Sequence, residues 1–187
     1  MTTIEIVAAW LLLLPAPSAH PAPGLPDTTR LQFLGFRAGA RLDEIAIHLD
    51  GLGGGRMRCR RSNVDPRVHE CRAAIPEEPG RTLSLWISAM DSVAGIMTLS
   101  TVVAPGQLER WREGLERQYG QVGKRVQGTQ SMLQWVRRGR MLRLTWRQDR
   151  GERVASVSLV DGHVLDGWGR NRARAASMAT QPASRTR

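Results

Sequence analysis

"RMRCRRSNVDPRVHECR", residues 56–72, holds both cysteines of the chain, one of its four histidines and six arginines. Three readings compete for it: a metal knuckle, a basic claw for a polyanion, and a hairpin closed by a disulfide. The order Cys59, His69, Cys71 matches no common zinc spacing, in which cysteines stand about two to four residues apart. A turn at Val64–Pro66 instead sets residue 59 directly opposite residue 71, within bridging reach if the pair is a non-hydrogen-bonded one. Cys59 and Cys71 are therefore expected to form a disulfide, worth on the order of 3 kcal/mol in the chain-entropy model. A redox-active pair would need closely spaced cysteines that lower a thiol pKa, and this spacing does not supply them. On an extended strand Arg56, Arg58 and Arg60 share one face while Met57 and Cys59 share the other. With Arg61, Arg67 and Arg72 they make either a solvated outer face or a polyanion patch. No aromatic residue interleaves with them, and base-stacking platforms need aromatics.

Upstream of this hairpin, "LQFLGFRAGARLDEIAIHLDGLGGG" opens the folded region. Leu42, Ile45, Ala46 and Leu49 recur at the spacing of one helical face, and Gly51 with the glycines at 53–55 stops the helix, which is expected over about 40–50. Alone it is too short to be stable and needs a sheet to pack on. Downstream, Leu83, Leu85 and Ile87 alternate with Ser84, Trp86 and Ser88 as a strand does, and a second strand is expected over about 94–103 after the break at "MDS".

The same order then returns. "PGQLERWREGLERQYG" is the clearest helix, with Pro105 suited to its first turn, Gly120 to its C-terminal cap, and Leu108, Trp111, Leu115 and Tyr119 in one apolar stripe. Strands are expected at about 122–127, 130–137, 140–147 and 154–160. "RG" at 138–139 fits a two-residue hairpin turn that sets Trp135 opposite Leu142 and Leu133 opposite Leu144. With Trp146 these form one apolar face, while Gln134, Arg143 and Arg147 point the other way. The expected fold is α+β: two weakly repeated units, 35–103 and 104–168, each of one helix plus antiparallel hairpins, giving a mainly antiparallel sheet with the helices on one face.

A helix entered through "GFRAGARLDEI", a glycine stop and a run of antiparallel hairpins resembles the small envelope proteins of the BamE/SmpA type. The tandem version resembles the beta-lactamase inhibitor protein fold. The resemblance covers roughly 35–160 and implies a protein without catalytic residues that acts by binding other proteins. No cysteine follows the N-terminal apolar run, which departs from the lipid-anchored BamE type.

That run, "IVAAWLLLL" (6–14), is far shorter than the roughly 20 residues that span a bilayer and is followed by small residues and prolines, as in a secretory signal peptide. The n-region "MTTIE" carries no basic residue, against the usual pattern. The expected organisation is a signal peptide at 1–19, a Pro-rich disordered linker at 20–34, the α+β domain at 35–168 and a disordered basic tail at 169–187. Net charge is +10, and Lys124 is the only lysine among 27 basic residues. Such a balance predicts weak, salt-sensitive attraction to polyanions.

Of the tryptophans, Trp111, Trp135 and Trp146 fall on apolar faces and read as core. Trp86, opposite in phase to its neighbours, and Trp168 near the C-terminal edge are candidate partner contacts. Asp91, Asp149 and Asp161 read as turn residues. His163 stands near Asp161 and Asp166, but no nucleophile is placed with them in a recognisable motif. "GLGGG" lacks the lysine of a phosphate loop.

The sequence thus points to an exported, non-enzymatic bacterial protein, periplasmic or extracellular, that binds another envelope macromolecule, expected to be a protein. It is expected to have a Cys59–Cys71 disulfide, no cofactor, no metal and no stable membrane span after cleavage. Trp86, Trp168, Arg56, Arg58 and Arg60 are the candidate interaction surface. The alternative is an Arg-rich nucleic-acid or polyanion binder with free thiols; an enzyme of unrecognised type is third.

Overall fold

The computed structural model describes residues 30–77 and 80–168. The first half of the chain runs α1 (Leu42–Gly51), β1 (Arg58–Arg61), β2 (Val68–Pro76), β3 (Thr82–Met90) and β4 (Val93–Val102). The second half runs α2 (Gln107–Tyr119), β5 (Arg125–Gln127), β6 (Gln130–Arg137), β7 (Arg140–Asp149) and β8 (Glu152–Asp161). A short helix, α3, follows over 162–168. The strands make one eight-stranded sheet in the order β1-β2-β3-β4-β8-β7-β6-β5, antiparallel at every pairing. The fold is α+β with an antiparallel sheet. The signal peptide (1–19), the first part of the linker (20–29) and the basic tail (169–187) fall outside the described residues.

The hairpins take the registers that their turns dictate. The Ser62 N–H donates to Val68 O at 2.8 Å, Cys59 stands opposite Cys71, and the two are joined by a disulfide with Cα atoms 4.0 Å apart. Trp135 pairs with Leu142 and Leu133 with Leu144 around a turn in which Arg138 and Gly139 have φ of 46° and 74°. Positive φ at both central residues is the two-residue turn whose twist matches a hairpin. At Gly139 a side chain is doubly excluded, since a Cβ there would lie 2.8 Å from Nε2 of His163.

One face of the sheet is buried. Cys71, Ile87, Met97, Leu159, Leu142 and Trp135 are successive partners in one cross-strand row, and all six are buried. They share a single cluster with Ile45 and Leu49 of α1 and Leu108, Leu115 and Tyr119 of α2. Full burial of such side chains contributes about 1.5–3 kcal/mol each, which is what holds the two helices. Trp111 is half-buried against the cluster, edge-on to Phe33 at 5.0 Å between ring centroids. The Trp135 indole N–H donates to Gly120 O at 2.7 Å.

The structure corrects several expectations. Leu31 and Phe33, expected in the linker, are in the core, because the strap ahead of α1 fills the slot beside α2. There the Tyr119 hydroxyl accepts the Gln32 N–H at 2.9 Å and donates to Gln32 O at 3.0 Å. Burial outweighs these contacts and a nearby Arg137 charge, and holds the Tyr119 pKa above its usual value. Pro105 lies outside α2, whose N-cap is Gly106. Asp161 is no simple turn residue: it is 2% exposed, pairs with Arg140 at 2.7 Å, and accepts the His163 N–H at 3.0 Å at the start of α3. The strap comes so close to it that a Cβ at Gly39, where φ is +83°, would sit 2.5 Å from Asp161 Oδ2.

Candidate interaction surface

The strand residues that alternate with the buried row form the opposite face. Arg58, Arg72, Trp86, Thr98, Ser158, Arg143 and Gln134 are successive partners across seven strands. Each stands one residue from a member of the buried row, so the strand period of two sends it to the other side. Trp86 lies near the middle of this row, half-buried, between Arg72 and Thr98. Trp86 therefore lies on the face opposite the core, as its phase along β3 predicts.

Two neighbouring rows complete the face. On one side Ser84, Ser100, Ser156 and Thr145 pair in sequence, with Thr145 and Ser156 hydroxyls 2.7 Å apart; in the central row Thr98 and Ser158 hydroxyls are 3.1 Å apart. On the other side Ile96, Val160, Met141 and Val136 form an apolar stripe across β4, β8, β7 and β6. Ile96 and Trp86 are diagonal neighbours, since Ser88 pairs with Ile96 and Trp86 with Thr98, and diagonal side chains of this size reach one another. Val136 at the end of the stripe is 62% exposed. Small hydroxyls and a stripe of aliphatic groups thus flank the central row on its two sides.

Charge gathers at the β1 edge. Arg60 donates from Nε and Nη2 to Glu70 Oε2 at 3.1 and 2.7 Å. One rung along the same face, Arg58 stands opposite Arg72. The side chains of Arg56, Arg58 and Arg72 have no ion-pair or hydrogen-bond partner among the described residues. The three line a groove of about 730 Å³ together with Gly55, Met57, Ala73 and Ala74. The groove exists because only Gly55 continues the pairing, through its N–H to Ala74 O at 2.8 Å, ahead of the start of β1.

A second basic cleft, of about 350 Å³, lies where α2 meets the β5–β7 end and includes Arg112, Lys124, Arg147, Arg153 and Trp146. There Arg147 and Arg153 are engaged by Asp149 and Glu109 at 3.3 Å each.

Of the five residues singled out in the sequence, the sheet brings Trp86 and Arg58 into one row and sets Arg60 on the neighbouring rung, already paired. Arg56 lines the groove just ahead of β1. Trp168 is half-buried at the end of α3. That helix touches the sheet where a Cβ on Gly95 would meet Val164 and Leu165 at 3.1 and 3.2 Å, and Gly167 lies beside the Met90 side chain. Met90 has the phase of Trp86, so α3 covers the end of the open face rather than the buried one.

Arg72 is expected from the sequence only as one of the hairpin's six arginines, and Thr98, Ser158 and Arg143 are not among the expected site residues. The pairing of 59 with 71 already implied 58 opposite 72, which is the signal that would have found Arg72. The other three depend on which strands neighbour one another, and no local signal encodes that. His48 and His163 act on turns: their Nε2 atoms meet Leu34 O at 2.8 Å and Arg138 O at 3.2 Å. Among the described residues no three metal-ligating side chains come together. Both cysteines are in the disulfide, against the free thiols of the nucleic-acid reading.

The chain matches no family model, no curated protein and no solved structure.

Proposed function

We propose that this is an exported, non-enzymatic binding module of a bacterial envelope, and that the open sheet face docks on another protein. The observation that carries the reading is the face itself. A Trp86–Ile96–Val160–Met141–Val136 patch crosses strands whose other side is sealed core; its members are half-buried apart from the exposed Val136, and an apolar patch left part-exposed in this way supports an interaction site. A rigid sheet also binds at low ordering cost, because its side chains are already held by their neighbours.

Export is supported by the disulfide, since such bonds persist in oxidising compartments. No helix among the described residues is long and apolar enough to cross a membrane. We read the two α-then-four-strand units as a duplication, with both long helices on the buried face and β4 and β8 as the seam. That is the arrangement the resemblance to the beta-lactamase inhibitor protein fold implies.

A photoreactive amino acid at position 86 or 98 of the full chain, expressed in its native host, tests the reading. The expected result is a discrete protein adduct from both positions and none from position 47 on α1, where Ile47 is exposed. Equal labelling from all three positions, or none from 86 and 98, would contradict it.

A further inference from the structure

We infer that the groove bounded by Arg56, Arg58 and Arg72 receives acidic side chains, so that the docked protein contributes a segment rich in Asp and Glu. The inference rests on the sheet-face reading and names the partner's chemistry. Two adjacent rungs of one hairpin carry it. At the Arg60–Glu70 rung the chain supplies its own carboxylate, held by two N–H groups of one guanidinium. At the next rung on the same face the position opposite Arg58 holds Arg72. Like charges directly opposed in an antiparallel pair are destabilising. No ion pair to either arginine is made among the described residues.

A carboxylate entering between Arg58 and Arg72 turns the repulsion into two charge-assisted pairs, the contact the chain makes for itself at Arg60. The groove is large enough, at about 730 Å³, for more than one side chain, and Ala73 and Ala74 leave its floor open. Trp86 is the next residue of the row beyond Arg72, so a segment anchored in the groove continues onto the apolar patch. Single-stranded nucleic acid fits less well, because among the described residues Trp86 is the one aromatic side chain in the row with these arginines and successive bases need successive platforms. Met57, Ala73 and Ala74 also line the groove, so an anionic lipid surface is separated from an acidic segment by the vesicle arm of the test below.

Fluorescence anisotropy of a labelled oligoglutamate peptide with the full chain tests the assignment, against R58Q/R72Q and the charge-matched R112Q/R117Q on α2. The expected result is loss of affinity by about tenfold or more in R58Q/R72Q, with R112Q/R117Q within about twofold of the parent. Equal losses in the two variants would mean attraction by net charge alone and would overturn the groove. Tighter binding of an oligonucleotide, heparin or phosphatidylglycerol vesicles, lost in R58Q/R72Q, would overturn the acidic-peptide class. The sheet-face reading is judged separately by the adducts from positions 86 and 98. If these persist while oligoglutamate ignores R58Q/R72Q, the groove assignment alone falls.

Discussion

Two rows of side chains, one residue apart along the same strands, divide this molecule. Cys59, Cys71, Ile87, Met97, Leu159, Leu142 and Trp135 have the phase of the buried face. Arg58, Arg72, Trp86, Thr98, Ser158, Arg143 and Gln134 face away. The first row is chosen by burial: every member beyond Cys59 is apolar and packed, and the exposed Cys59 is tied to it by a covalent bond. Burial does not explain the second row. It opposes two arginines and leaves a tryptophan half-exposed, features that cost stability in the isolated chain. Natural proteins tolerate such costs where a partner removes them. On the proposed function, the contrast separates residues that hold the fold from residues that use it.

The largest break in that contrast is expected on the buried row. Leu142→Ala removes a fully buried side chain from the middle of the sheet and should cost about 3–4 kcal/mol, read from the urea midpoint. Reduction of Cys59–Cys71, or their joint replacement by serine, should cost about 3 kcal/mol by the loop-entropy model for a separation of 12 residues. Local fraying of β1 should appear first in hydrogen exchange.

Alkaline pH gives a smaller, directional test. Tyr119 is the chain's single tyrosine, and burial raises its pKa in the folded state. The folded chain then holds the phenolic proton more tightly than the unfolded one. This contribution is complete below the unfolded value of about 10 and is lost as pH rises through the folded value. Ultraviolet titration should show ionisation later than in urea, and Tyr119→Phe should flatten the fall in stability above that pH.

The smallest effect sharpens the contrast most. Arg72→Glu recreates at one rung the pairing that Arg60 and Glu70 make at the next. It should stabilise the isolated chain by about 0.5 kcal/mol while abolishing oligoglutamate binding. A variant that is more stable and less active marks Arg72 as kept for use.

Much of this was legible locally. The Cys59–Cys71 register, the Arg138–Gly139 turn with Trp135 opposite Leu142, and the phase of Trp86 all follow from period and turn chemistry. The rest is set by contacts distant in sequence. The β4–β8 seam has no signal in either strand. Asp161 resembles any turn aspartate until Arg140, 21 residues away, is brought against it. Leu31 and Phe33 follow a proline-rich stretch that hides their role in the core. For the site, single residues were readable but the row they form was not, because a row exists only once neighbouring strands are known.

Oxidative footprinting tests the central claim most directly, by comparing the purified chain with the same chain in its native envelope. Trp86, Met132 and Met141 have the phase of the open face, whereas Trp111 sits on α2. The account predicts that Trp86, Met132 and Met141 are oxidised in the purified protein and shielded in the envelope, with Trp111 unchanged. Equal oxidation of Trp86, Met132 and Met141 in the two settings would contradict it.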